Sequence, residues 1–164
     1  MECQRSRKPL NLLGGSSLEK LDYVEVGLSF STLDEKVKKD FEPFSSSIER
    51  RIKTLKILKE HNIRTYAFLG PILPELTDLR EMYKIFKDIK VDLVMAENLN
   101  IRAGNWKSIE NLLERKYPSL VEKYKQIFFT ENNYWRSIEK EIKRLSKEYN
   151  IETKIFFDHK FPHS

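Results

Sequence analysis

The run Tyr23–Ser31 constrains this chain most. Val24, Val26, Leu28 and Phe30 fall on one side of an extended strand, and Glu25, Gly27, Ser29 and Ser31 on the other, because successive strand side chains point to opposite faces. One face is bulky and apolar; the other is small and polar. In a sheet covered by helices the bulky face meets the helices. Two readings of the polar face then stand side by side: it looks into a cavity or toward a ligand, or it is the wet face of an edge strand.

The residues that follow supply the helices. Leu33–Asp40 has helical character, and Glu42-Pro43 ends it because the residue before proline avoids helical geometry. Ser46-Ser47-Ile48-Glu49 reads as a capping box opening a helix to about His61, with Ile48, Ile52, Leu55 and Leu58 as its buried stripe. A second strand, Ile63–Leu69, runs into Gly70-Pro71-Ile72-Leu73-Pro74, where the prolines are expected to stop sheet pairing and leave a shaped loop. Asp78-Leu79-Arg80-Glu81 opens the next helix, with Leu79, Met82, Tyr83, Phe86 and Ile89 on its inner face. A third strand, Val91–Ala96, ends at Glu97-Asn98-Leu99-Asn100. Helices at Trp106–Lys116, Ser119–Phe129 and Asn133–Tyr149 lead to a last strand, Ile151–Phe157. Residues 1–22, with basic Arg5–Lys8, Gly14-Gly15 and a short helix at Ser17–Leu21, read as a poorly organised leader to a 23–164 domain. Strands alternating with helices imply an α/β fold with parallel strands and right-handed crossovers. Four strands are too few for a closed eight-stranded barrel, so the expectation is an open sheet or a partial parallel (β/α) barrel.

Composition narrows the function. A chain of 164 residues, 40% hydrophobic and 34% charged, is one globular domain and not a disordered segment. The net charge of +5 permits nucleic-acid contact, and it fits equally a lysine-rich surface with mixed signs, as in Glu110, Glu114, Arg115 and Lys116. Cys3 is the single cysteine, so the chain cannot by itself supply a disulfide framework, a cysteine-built zinc site or the ligands of an iron–sulfur cluster. No run has the length of a membrane helix, and the start at Met1-Glu2-Cys3 lacks a signal-peptide core, which makes the cytoplasm the expected location. No glycine-rich phosphate loop or Gly-x-Ser-x-Gly elbow occurs. His159 and His163 flank Pro162 and read as a solvated tail, Trp106 and Trp135 as core aromatics, and Asn132-Asn133 as a helix cap.

Ligands of parallel α/β folds bind at the carboxyl ends of the strands. Here those ends carry Ser29-Phe30-Ser31-Thr32, Gly70–Pro74, Glu97-Asn98-Leu99-Asn100 and Asp158-His159. Hydroxyls, backbone groups beside proline, a carboxylate and an amide suit a nucleoside-like ligand; ordinary turn and cap chemistry uses the same residue types.

Val26-Gly27-Leu28-Ser29-Phe30-Ser31-Thr32-Leu33-Asp34, then Phe41-Glu42-Pro43 and Arg51, then Leu69–Asp78 and Glu97-Asn98-Leu99-Asn100, together resemble the radical S-adenosylmethionine proteins grouped as DNA repair photolyase-like, relatives of spore photoproduct lyase. The resemblance covers about residues 23–158 and implies the second half of a partial barrel. It implies that Ser29 and Ser31 face the ribose or carboxylate of S-adenosylmethionine. Arg51 pairs with a carboxylate or with Glu42, Ile72 lies against the adenine, and Glu97 and Asn98 close the site. The family's Cys-x-x-x-Cys-x-x-Cys motif and its first three strands have no counterpart here. The expectation is therefore a truncated member, with no catalytic residue or metal ligand of its own and without radical chemistry when alone. Activity would need the missing half, supplied by a neighbouring chain or by the full-length protein; the candidate partners are that N-terminal half or, in the interaction-module reading, a homodimer partner. The alternatives are an interaction or homodimerisation module, invited by exposed sheet edges, and a basic nucleic-acid-binding domain.

Overall fold

In the computed structural model, which describes residues 24–101 and 104–157, the two-faced run becomes β1 (Glu25–Phe30). The chain then enters α1 (Glu35–Phe41), where Asp34 accepts hydrogen bonds from the N–H groups of Lys36 and Val37. α2 (Ile48–Glu60) follows. Its cap is Ser47, whose hydroxyl accepts from the Arg50 N–H at 3.2 Å. The expected box beginning at Ser46 is corrected by one residue, because the Ser46 hydroxyl accepts instead from the Arg51 side chain at 3.3 Å. β2 (Arg64–Ile72) leads to α3 (Leu79–Ile89), whose five predicted inner residues are all buried. β3 (Leu93–Asn98), α4 (Trp106–Lys116), a 3-10 turn (Pro118–Leu120), α5 (Val121–Phe129), α6 (Tyr134–Tyr149) and β4 (Thr153–Ile155) complete the order. No described helix is long and apolar enough to cross a membrane.

Two strand boundaries differ from expectation for identifiable reasons. β2 continues through Gly70-Pro71 to Ile72, which pairs with Asn98 of β3 across a register shift that begins after Leu69. A proline inside such an irregularity costs no ladder bond. β3 likewise runs on to take in Glu97 and Asn98. The last strand is shorter than the apolar run suggested. Asn150 closes α6 in the left-handed conformation (φ 51°). Ile151 is then tied back by its N–H to the Ser146 carbonyl at 3.0 Å and by its own carbonyl to the Ser146 hydroxyl at 2.7 Å. The leader, Tyr23, Asp158, His159 and His163 lie outside the described residues.

The sheet is four-stranded in the order β1-β2-β3-β4, parallel throughout. Strand order follows chain order with no reversal, so right-handed crossovers stack their helices on one face. The main core lies there: Val26 and Phe30 of β1, Ala67 and Leu69 of β2, and Val94 and Ala96 of β3 meet Leu55 of α2, Phe86 of α3 and Ile142 of α6. Burying each large side chain of this set contributes about 1.5–3 kcal/mol. A second core joins α1, α4 and α5 through Val37, Leu113, Tyr124 and Phe128, with Trp106 and Trp135 packed against it. The opposite parity of the strands, Gly27, Ser29, Tyr66, Phe68, Leu93 and Met95, belongs to neither core.

Candidate functional site

The carboxyl ends of β1, β2 and β3 are held together by hydroxyls and one buried arginine. Arg51 sits on the inner stripe of α2 and is 5% exposed. Its guanidinium donates to the Ser29 carbonyl at 2.7 Å and to Glu42 Oε2 at 2.9 Å. Ser31 donates to the other Glu42 oxygen at 2.5 Å. Burial alone would raise the Glu42 carboxyl, but the bonds from Ser31 and Arg51 and the guanidinium's charge hold it below its ordinary value. The acidic partner of Arg51 is thus Glu42, one of the two that the resemblance allowed.

Neighbouring hydroxyls are used in the same way. Thr32 donates to the Leu76 carbonyl at 2.9 Å. Thr77 donates to the Ser31 carbonyl at 2.5 Å and accepts from the Leu73 N–H at 2.8 Å. The Tyr124 hydroxyl, driven up in pKa by burial, donates to the Pro74 carbonyl at 3.0 Å. These bonds stitch the turn after β1 to the proline loop after β2 and fix the rim.

The open face of the sheet is what this rim overlooks. Ser29 stands opposite Phe68, and Phe68 opposite Met95. A Cβ at Gly70 would lie 3.2 Å from Glu97 Cβ and 2.8 Å from the Phe68 ring, which sets Glu97 over the bare backbone of Gly70. One strand step below, Gly27 leaves room for the Tyr66 ring, which a Cβ there would meet at 2.1 Å. The result is an aromatic floor of Tyr66 and Phe68 beneath a polar lip of Ser29 and Glu97. The Ser29 hydroxyl and the Glu97 carboxylate form no hydrogen bond or ion pair with other described residues.

The six residues singled out from sequence therefore divide. Ser29 and Glu97 reach the open face. Ser31 and Arg51 are engaged with Glu42. Asn98 is buried and pairs with Ile72. Ile72 is 1% exposed and packs in the main core, within the extension of β2 past Leu69. Tyr66 and Phe68 were missed, although their alternation with Ala67 and Leu69 already places them on the far face. The turn residues Asn132-Asn133 act as a cap through Asn132, which accepts from the Tyr134 N–H at 2.9 Å. The chemistry at hand is hydrogen bonding to hydroxyl or amino groups and aromatic or apolar contact. Among the described residues no group of three His, Cys, Asp or Glu could hold a metal ion, and with one cysteine in the chain an iron–sulfur cluster does not fit its own ligands.

No protein-family model matches the chain. An uncharacterized protein of Methanocaldococcus jannaschii is 35% identical over 130 residues, which are 79% of this chain and 48% of that protein. An uncharacterized protein of Acidianus two-tailed virus is 33% identical over 116 residues, 66% of this chain and 37% of its own length. The chain thus spans about half or less of the curated relatives that it matches. Among solved structures, Streptococcus suis SuiB bound to S-adenosylmethionine superposes with a TM-score of 0.54 at 15% identity over 88% of this chain and 28% of that one. That likeness establishes a shared fold.

Proposed function

We propose that this chain is the nucleoside-holding part of a radical S-adenosylmethionine barrel of the photolyase-like kind, equivalent to its second half. The observation that carries the reading is that a hydroxyl on β1 and a carboxylate on β3, Ser29 and Glu97, neither bonded to another described residue, flank the aromatic β2 between them at the carboxyl ends of parallel strands. The shared fold with a protein bound to S-adenosylmethionine supports it, as does the sequence pattern from Ser29 to Asn98. In this reading Ser29 and Glu97 meet the ribose or the methionine end. Ser31, Arg51 and Glu42 position Ser29 by gripping its carbonyl and the turn beyond it, and Asn98 and Ile72 hold the strand ends in register. The chain alone binds the sulfonium cofactor without reducing it, because cluster ligands must come from elsewhere.

Equilibrium dialysis with labelled S-adenosylmethionine tests this. The chain binds it, and Ser29→Ala weakens binding about fivefold, the worth of one hydrogen bond of about 1 kcal/mol. No binding at about 1 mM ligand, a concentration that would reveal even a weak site, contradicts the reading.

A further inference from the structure

β4 adds a fourth column to the open face of the sheet. The Thr153 and Ile155 side chains point to the helices: the Thr153 hydroxyl lies 2.9 Å from the Tyr83 hydroxyl, and Ile155 packs against the main core. Lys154 and Phe156 have the opposite parity and therefore stand on the open face, with Met95 and Glu97 of β3. The ladder fixes which of them are neighbours. Lys154 pairs with Met95, and the Phe156 N–H donates to the Ala96 carbonyl at 2.8 Å, which carries Phe156 alongside Glu97.

The side chains of this corner are not used by the fold. The Lys154 ammonium, like the Glu97 carboxylate, forms no hydrogen bond or ion pair with another described residue. The Phe156 ring is 51% exposed, and Met95 beside it is half-buried. One exposed charge or one exposed ring is ordinary. Here two opposite charges stand one diagonal step apart, about 8 Å between Cα atoms by strand spacing and rise, and they stay separate over an apolar patch. An exposed ion pair between them would be worth little, so a ligand takes its place at small cost. The ligand that satisfies both groups at once carries an ammonium and a carboxylate close together, with an apolar group to cover the patch.

We propose that the β3–β4 side of the open face is a second ligand subsite that takes a free α-amino acid with an apolar side chain. Glu97 receives its ammonium, Lys154 its carboxylate, and Phe156 and Met95 its side chain. The charges select this class. A nucleic acid brings phosphates and no ammonium, and an extended peptide holds its two terminal charges far apart. The inference goes beyond the nucleoside reading, which places its ligand over β1 to β3. The two ligands adjoin at Glu97, and a carboxylate, with about four acceptor positions, serves a hydroxyl on one side and an ammonium on the other.

The test titrates the full chain with L-phenylalanine, with hydrocinnamate, which lacks the ammonium, and with phenethylamine, which lacks the carboxylate, and reads nitrogen–proton NMR shifts. L-phenylalanine is expected to move the Glu97, Lys154 and Phe156 amides, and each analogue to bind about tenfold more weakly for want of one charge-assisted contact. Lys154→Met should bring L-phenylalanine down to the level of phenethylamine, and Glu97→Gln down to that of hydrocinnamate. Both side chains are exposed, so the variants keep the fold. No shifts at about 20 mM L-phenylalanine, where a millimolar site is filled, overturn the proposal. So do analogues that bind as well as the amino acid, or variants that leave its advantage intact. Adenosine, a nucleoside without an amino-acid end, separates the two claims. A chain that binds adenosine but not L-phenylalanine loses this subsite alone; one that binds L-phenylalanine but neither adenosine nor S-adenosylmethionine keeps the subsite and loses the nucleoside reading.

Discussion

Arg51 occupies a helix position that periodicity assigns to the core, one residue before Ile52 and four before Leu55. A guanidinium is tolerated there because its inward N–H groups meet Ser46, Ser29 and Glu42. Removing one member of a buried pair strands the other, so Arg51→Met should cost about 3–5 kcal/mol in urea unfolding at neutral pH. The pH dependence has a definite sign. Glu42 has a lowered folded-state pKa, so its contribution is present above its ordinary value of 4.5 and is lost as pH falls through the folded value. The gap between wild type and Arg51→Met should therefore close below that pH; a gap that persists undiminished there would show that the carboxylate is not what the arginine serves. The Glu42 pairing was legible in the sequence as one of two options. The Ser31 bond to the same carboxylate was not, because the path of the turn between them is set by tertiary contacts at Thr32, Thr77 and Lys38.

At the scale of elements, strand alternation was the most readable signal. It assigned Val26 and Phe30 to the helix-covered core and Gly27 and Ser29 to the far face, as observed. Helix periodicity gave the inner face of α3 residue for residue. Strand ends were less readable: Pro71 lies within β2 because a register shift absorbs it, and Ile151 is claimed by the end of α6. The contact between β1 and β2 at Gly27 and Tyr66 yields a prediction of its own. Gly27→Ala puts a methyl 2.1 Å from the Tyr66 ring and must displace it. The expected cost is about 1–3 kcal/mol, the range for overpacking. In a Tyr66→Ser background that cost should largely vanish, as coupled neighbours require; an equal cost in both backgrounds would mean that the ring is not the obstacle.

For the whole molecule, the repeated strand–helix pattern announced a parallel sheet. The uninterrupted order β1-β2-β3-β4 adds what no local pattern contains: all strands wind one way, with their carboxyl ends along one rim. The residue types of that rim were readable, but their division of labour was not. Which hydroxyls are consumed in stitching loops together, and which remain for a ligand, depends on contacts between residues more than 40 apart in sequence, such as Thr32 with Leu76 and Thr77 with Ser31. The proposed S-adenosylmethionine site has a direct test in a two-dimensional nitrogen–proton NMR titration. It predicts amide shifts concentrated at Ser29, Phe68, Gly70 and Glu97, at the carboxyl ends of β1, β2 and β3. Shifts confined to the opposite ends of the strands or to the helix-covered face, or none at saturating ligand, would contradict it.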